Sequence, residues 1–318
     1  MTTPPPADSV AATAAPAPVI ASAAVGSHPL RAALLVMAAV LLFACMDTTT
    51  KVLTEHYAPP VVIAIRYAVQ GLLMLAILAP GHGRRLVQTQ RTGLVLLRSA
   101  CLALASVIMA IAFHRLPVAE ATAIVFLSPL LVVLISGTVL GERVGGYGIV
   151  AAVAGFSGVL LIARPGAGLD PLGVVCALIG AVLIASYQLM SRLLARTEGT
   201  VPMLFYTAIV GSLVYGLMLP WFWEGRWPDT SQMLLFFCTG AAGGLGHFLF
   251  TAAHRHAPAS VLAPVMYLQL VWAGLLGWLV FGHVADLLSI IGMVIVALAG
   301  AAVALRAQLT RLLGRMPG

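Results

Sequence analysis

Apolar runs of about 20 residues, separated by short turns rich in Pro and Gly, fill most of this chain. A run of that length is long enough to cross a bilayer as an α-helix. The pattern predicts ten such helices, near residues 30–52, 60–80, 92–114, 118–140, 145–164, 171–193, 201–222, 231–254, 259–282 and 286–306. We therefore expect an all-α integral membrane protein with ten transmembrane helices and no soluble domain between them.

Identical or similar residues recur in the two halves of this pattern at a spacing of 141 positions. The matched pairs are Ala44 and Ala185, Lys51 and Arg192, Leu53 and Leu194, Pro117 and Pro258, Leu127 and Leu268, and Gly141 and Gly282. Each copy holds five predicted helices, and an odd number inverts the second copy relative to the first. The sequence thus predicts two inverted five-helix repeats, at residues 29–165 and 166–307.

Composition agrees with lipid as the surrounding solvent. Hydrophobic residues make up 61% of the chain and charged residues 8%, against roughly a quarter charged in soluble proteins. Residues 1–28, rich in Pro, Ala, Ser and Thr, are predicted to form a disordered tail, and residues 308–318 a basic tail. No metal-ligand spacing is present, so neither a metal nor a cofactor is expected.

The distribution of Lys and Arg predicts the orientation in the membrane. With the N-terminus inside, eleven of these residues fall in or beside inner segments and four in outer segments. Inner segments of membrane proteins carry the excess of positive charge. We expect both termini to be cytoplasmic and the protein to lie in a bacterial cytoplasmic (inner) membrane.

Charged residues within predicted helices are candidates for function, because a central charge costs about 2.5–3.5 kcal/mol on insertion scales. Asp47 and Lys51 lie four positions apart on helix 1 and can pair. Arg66 lies at a similar depth on helix 2, and Glu120 begins helix 4. We predict that these four residues form one outward-facing cluster, whereas Arg98 lies toward the cytoplasmic side and is separate.

The second copy keeps these positions but changes their chemistry. Gln188 stands opposite Asp47 in the alignment of the copies, and Thr207 stands opposite Arg66. Gln188, His247 and Gln269 are predicted to face a central cavity. Aromatic residues away from the helix ends are candidates for stacking on a planar ligand, namely Tyr67, Tyr187, Tyr206, Tyr267 and Trp272.

Each candidate also has a purely structural interpretation, which the sequence leaves open. Asp47 and Lys51 can form a self-neutralising pair at a helix end, and Arg66 can extend toward the interface. Glu120 can favour the helix dipole, and His247 can be a packed neutral histidine. The aromatic residues can simply pack. His254 and His283, at helix ends, are interpreted as interfacial.

Several motifs resemble the drug/metabolite transporter superfamily, in its EamA-type group of ten-helix carriers. They are Asp47, Lys51 and Arg66; Leu127-Ser128-Pro129; Leu140-Gly141-Glu142-Arg143; and, in the second copy, Tyr267-Leu268-Gln269-Leu270 with Phe281-Gly282-His283. The second copy departs from the pattern at Leu270 and His283, where the first has Pro129 and Glu142. The stretches 203–210 and 263–269 resemble the branch of carriers for S-adenosylmethionine and riboflavin.

The resemblance implies a central cavity lined by both repeats and no ATP hydrolysis. The function expected is secondary transport of a small polar metabolite (S-adenosylmethionine, riboflavin or amino-acid-like) by alternating access. The alternative is an intramembrane enzyme or an accessory membrane subunit. The expected partners are the small-molecule substrate and the bilayer, with no nucleic acid. Coupling to a proton, the direction of transport, and a monomeric or homodimeric state are left undecided.

Overall fold

The computed structural model describes residues 29–139, 146–164, 168–194, 197–253 and 265–313, and the regular elements within them are helical. The prediction of an all-α chain is confirmed. The α-helices are, in chain order, α1 (Pro29–Thr54), α2 (Pro59–His82), α3 (Thr92–Arg115), α4 (Val118–Val125), α5 (Ser128–Val139), α6 (Gly146–Ile162), α7 (Pro171–Leu194), α8 (Thr200–Phe222), α9 (Thr230–Ala253), α10 (Leu268–Phe281) and α11 (Leu287–Leu313). A 3-10 turn, Gly83–Leu86, follows α2.

Six of the described helices, α1, α2, α3, α7, α8 and α9, are long and apolar enough to cross a membrane. Four shorter apolar helical stretches accompany them: Val118–Val132, Ile149–Ile162, Leu268–Phe281 and Leu287–Ala302. Large apolar side chains remain exposed on the outside of the bundle, including Leu72, Leu160 and Leu298. An apolar exterior of this extent is typical of a surface that contacts lipid. The two predicted tails lie outside the described residues, apart from residues 308–313.

The predicted fourth and ninth helices are each interrupted, which the sequence pattern did not indicate. The fourth divides at Phe126 and Leu127 into α4 and α5. Pro129 lies in the first turn of α5, where a backbone N–H would have no partner within the helix, so the N–H that proline lacks is not missed. The ninth has a turn at Tyr267, directly before α10. Residues 126 and 267 are equivalent by the spacing of 141, and their rings lie 5.0 Å apart between centroids. The two interruptions therefore meet.

Helices of the two halves pack against each other reciprocally. Helix α1 packs on α9 and α3 packs on α7, while α2 packs on α9 and α3 on α8. The same exchange relates the contact of α1 with α10 to that of α7 with α5, which is equivalent to α10 by the spacing of 141. The equivalent helices α2 and α8 contact each other directly, as do α6 and α11, and α4 contacts α10. Two similar units related by an approximate two-fold axis make contacts of this reciprocal kind.

Three aspartates begin helices of the second half. Asp170 Oδ1 accepts hydrogen bonds from the N–H groups of Leu172 and Gly173 at α7, and Asp229 Oδ1 accepts one from Gln232 at α9. Asp286 Oδ1 accepts one from Ser289 at α11 and also pairs with Arg164. The hydrogen bonds from Ser289, together with Arg164, lower the pKa of Asp286 to about 2. These caps satisfy N–H groups that a helix leaves free at its start.

Helices α6 and α11 approach closely through two glycines. A Cβ atom on Gly158 would lie 2.7 Å from the carbonyl oxygen of Gly292, and a Cβ on Gly292 would lie 2.5 Å from that of Gly158. Small residues are the usual means by which membrane helices bring their backbones together. This contact holds the last helix of one half against the last helix of the other.

Replacing Gly292 by Val is therefore expected to destabilise the bundle by about 1–3 kcal/mol, since an overpacked contact forces the backbone apart. The measurement is thermal unfolding of the purified protein in detergent. Gly274→Val in α10 is the matched control, because a Cβ there meets open space. Equal unfolding temperatures for the two variants would contradict the close approach.

Candidate functional site

Asp47 lies in the last part of α1, where it contacts the second half of the chain. Its carboxylate is buried, and Oδ2 accepts a hydrogen bond of 3.1 Å from Nε2 of Gln269. Gln269 occupies the first turn of α10, directly after the interruption at Tyr267. The interruption therefore lets an amide at the start of one helix reach an acid on the other repeat.

Arg66 is a buried cation on α2, only 8% exposed. Its Nη1 lies 3.8 Å from Sδ of Met46, the neighbour of Asp47, and its Cζ lies 5.2 Å from the ring centroid of Tyr67. Within the described residues Nε has no hydrogen-bond partner, and no carboxylate lies within the 4.0 Å of an ion pair. A buried charge without these partners is costly, which makes Arg66 a candidate for contact with a ligand.

Lys51 does not pair with Asp47, contrary to the prediction. Its Nζ donates to the carbonyl oxygens of Phe113 and Leu116, at 2.7 and 2.8 Å, and lies 5.4 Å from the ring centroid of Phe281. Carbonyl groups at the end of a helix, here α3, lack partners within the helix and attract a cation. The predicted four-residue cluster is thus divided, with Asp47 and Arg66 apart from Lys51 and Glu120.

Glu120 pairs with His283, which lies outside the predicted charged cluster. Glu120 lies in the first turn of α4, is 2% exposed, and its Oε1 lies 3.0 Å from Nε2 of His283. His283 follows the end of α10, as predicted, and its half-buried side chain also contacts this acid. In the sequence, the signal for this pair is His283 itself, which stands in the second copy where the first copy of the motif has Glu142.

Arg98, on α3, forms a separate group in which each of its three side-chain nitrogens has a hydrogen-bond acceptor. Its guanidinium donates to Ser191 Oγ at 2.7 Å, to Tyr187 Oη at 2.7 Å, and to the Met203 carbonyl and Thr207 Oγ1 at 3.2 and 3.1 Å. The Cζ atom also lies 4.3 Å from the Tyr187 ring centroid. Arg98 therefore joins α3 to α7 and α8, and Tyr187 is occupied as its partner.

The remaining aromatic candidates are engaged in packing or hydrogen bonding. Tyr67 Oη shares a hydrogen bond of 2.9 Å with Ser106, and Tyr206 Oη donates to the Val87 carbonyl beyond α2. Trp272 packs against a small cluster on α1 and α9. Tyr267 is buried against Phe126 and, within the described residues, its hydroxyl has no partner. Only Tyr67 among these four lies beside the Arg66 guanidinium.

His247 and Gln188 are both half-buried. The His247 ring lies 4.9 Å from that of Phe43 on α1, in a tilted arrangement that helps α9 pack on α1. Gln188 lies on α7, directly after Tyr187. The structure thus brings together Asp47, Gln269 and Arg66 near Tyr67, and His247 lies within electrostatic range of Arg66. The other predicted residues lie in separate groups.

Two copies of one family model, described as the EamA-like transporter family, match residues 30–164 and 171–305. The chain belongs to the EamA-like transporter family. It is therefore a multi-pass membrane protein and a transporter of small metabolites, as the resemblance implied, and not an enzyme. The two matches also account for the spacing of 141 residues between the halves.

Among relatives of this EamA-family chain, a riboflavin transporter of Vibrio cholerae is 29% identical over 81% of the chain and 87% of that protein. An S-adenosylmethionine uptake transporter of Rickettsia felis is 25% identical over 68% and 72%. A pseudopaline exporter of Pseudomonas aeruginosa is 27% identical over 84% and 93%. A solved crystal structure with the same fold has a TM-score of 0.63 at 20% identity, covering 87% of this chain and 98% of that one.

The bonds of Arg98 predict a difference between two tyrosine variants. Tyr187→Phe removes a buried hydrogen bond to a charged group and is expected to lower stability by about 1.5–3 kcal/mol. Tyr206→Phe removes a bond to a neutral carbonyl at an exposed position and is expected to cost about 0.5–1 kcal/mol. Thermal unfolding of both variants in the same detergent makes the comparison. A larger loss for Tyr206→Phe would contradict the structural role given to Arg98.

Proposed function

We propose that this EamA-family chain is a secondary transporter of a small zwitterionic metabolite across the bacterial cytoplasmic membrane. The observation that carries the proposal is the burial of Asp47 and Arg66 near each other without an ion pair between them. Opposite charges held apart in this way suit a ligand that carries both an ammonium or sulfonium group and a carboxylate. The ligand supplies the opposite charges that the Asp47 carboxylate and the Arg66 guanidinium lack as ion-pair partners.

The chemistry of the two side chains assigns each a part of the ligand. The planar guanidinium of Arg66 is suited to a carboxylate, which it binds through two parallel N–H donors. Asp47 is suited to the cationic group, and Gln269 Nε2 already donates to the Asp47 oxygen that would receive it. Tyr67, whose ring faces Arg66, supplies an aromatic surface beside the carboxylate.

These charges favour some of the candidate substrates over others. S-adenosylmethionine and amino-acid-like compounds carry a cation and a carboxylate close together, whereas riboflavin carries neither. Relatives are named as carriers of S-adenosylmethionine, riboflavin and pseudopaline, so the family accepts different ligands. We therefore rank S-adenosylmethionine and amino acids before riboflavin for this chain.

Alternating access between two inverted repeats is the mechanism that we propose. Its support is the constant spacing of 141 residues, the five helices in each predicted repeat and the reciprocal helix packing. Inverted repeats supply two related conformations, each open to one side, around a site at their junction. Asp47 and Gln269 belong to different repeats, so a change of conformation alters their contact. The proposed repeats are 29–165 and 166–307, with both termini cytoplasmic, and a monomer holds the whole site.

The test uses the purified protein in liposomes loaded with unlabelled S-adenosylmethionine, and it measures entry of the labelled compound by exchange. A panel of unlabelled amino acids and riboflavin then competes with the label. Exchange above that of empty liposomes is expected, with competition by zwitterions and none by riboflavin. Competition by riboflavin and not by zwitterions would overturn the assignment of Asp47 and Arg66.

The charged residues give a second, independent measurement. Asp47→Asn and Arg66→Gln are each expected to reduce exchange by about tenfold or more, because a hydrogen bond to a charged group contributes about 1.5–3 kcal/mol. Asp229→Asn is the matched control, since Asn also caps a helix and residue 229 lies at the exposed start of α9. Exchange by Asp47→Asn equal to that of the control, at equal membrane insertion, would remove Asp47 from the site.

A further inference from the structure

We infer that the pair formed by Glu120 and His283 binds the proton that drives transport. This inference rests on the proposed function, because it assigns the coupling ion of that carrier. The Glu120 Oε1 atom lies 3.0 Å from His283 Nε2, within hydrogen-bond distance. The second oxygen, Oε2, is buried and has no hydrogen-bond partner within the described residues. The pair joins the first repeat, through α4, to the second, at the end of α10.

The charge of the pair depends on one proton. With that proton present, a neutral acid faces a neutral imidazole or a carboxylate faces an imidazolium, and the net charge is zero. Without it, a neutral imidazole N–H donates to one oxygen of a carboxylate whose other oxygen is unpaired, and the net charge is −1. Burying an incompletely paired charge is costly. The buried contact therefore favours the neutral, protonated pair, and contact of the carboxylate with water favours release of the proton.

Lys51, the cation on α1 at this end, does not neutralise Glu120 through a direct ion pair. Its Nζ bonds to the carbonyl oxygens of Phe113 and Leu116 and makes no ion pair with Glu120 within 4.0 Å. The cation is therefore bonded to carbonyl oxygens, and the buried Glu120 carboxylate has His283 as its hydrogen-bond partner.

The other charged groups on the elements around this pair are largely neutralised by one another. Arg115 at the end of α3 pairs with Asp170 before α7 at 2.9 Å, and Arg164 after α6 pairs with Asp286 before α11. Three further titratable groups at this end are exposed: Glu55 and His56 after α1 and His114 on α3. None of these three forms an ion pair with Glu120 or His283 in the described part of the chain.

The pair has no counterpart on the other repeat. By the spacing of 141, residue 120 is equivalent to Val261 and residue 283 to Glu142, both outside the described residues. Valine cannot bind a proton, so the equivalent contact at the opposite end lacks one member of the pair. The sequence of the second repeat therefore has no acid at the position equivalent to Glu120.

The first experiment needs no substrate. Infrared difference spectra of the purified protein, recorded as the pH is changed, report the carbonyl stretch of a protonated carboxylic acid. We expect a band that titrates in the wild type and is lost in Glu120→Gln, and whose titration shifts in His283→Gln. Glu55→Gln is the matched control, because this acid is exposed at the same end. An unchanged difference spectrum in Glu120→Gln would overturn the inference, whatever the transport data show.

The second experiment separates coupling from transport itself. Liposomes with a pH gradient are compared with liposomes at equal pH, using labelled S-adenosylmethionine and the amino acids of the panel as probes. Wild-type protein is expected to accumulate a probe only with the gradient, and Glu120→Gln to lose this accumulation roughly tenfold while still exchanging above empty liposomes. Wild-type exchange that ignores the gradient would overturn proton coupling. No exchange of any probe, together with a Glu120-dependent infrared titration, would support the proton site and overturn the proposed substrate.

Discussion

Polar groups within a bundle surrounded by lipid must find their partners inside the chain, and this constraint organises the structure. The two buried arginines show its two outcomes. Arg98 is 4% exposed and donates to four oxygen atoms on α7 and α8, so each of its three side-chain nitrogens has an acceptor. Arg66 is 8% exposed; its Nη1 lies near the Met46 sulfur and its Cζ near the Tyr67 ring, and Nε has no hydrogen-bond partner among the described residues. The first is a structural arginine, and the second is the one to which the proposed function assigns a ligand.

Reciprocal packing brings the unpaired groups of the two repeats together. Phe126 and Tyr267, at equivalent positions, contact each other where the fourth and ninth predicted helices are interrupted. The interruption before α10 places Gln269 in a first turn against Asp47 of α1. An interrupted helix has an additional helix start inside the bundle, and Gln269 lies at such a start. The proposed substrate contacts therefore lie next to the point where the equivalent interruptions of the two repeats meet.

The sequence was sufficient for the helices and the duplication, because both are recorded in hydropathy and spacing along the chain. The hydrogen-bond partners of the charged side chains could not be predicted from hydropathy or spacing. Lys51 bonds to carbonyl oxygens at the end of α3, and Glu120 pairs with His283, 163 positions away, because neighbouring helices bring these groups together. Spacing along one helix had favoured an Asp47–Lys51 pair instead. The interruption at Tyr267 could not be predicted, since Leu270 stands where the first copy has Pro129.

Equivalent positions in the two repeats carry different side chains, and this difference can make the two conformations of the proposed transport cycle unequal in free energy. Two conformations related by the repeats would have similar free energies if the repeats were identical, and a ligand shifts such an equilibrium only by binding one state better. Here Asp47, Arg66 and Glu120 are matched by Gln188, Thr207 and Val261. Thr207, which is equivalent to Arg66, has a structural role: its Oγ1 accepts a hydrogen bond from the Arg98 guanidinium. Of these matched positions, the charged members belong to the first repeat, so the proposed zwitterion and proton meet different groups in the two repeats and bias the two states unequally.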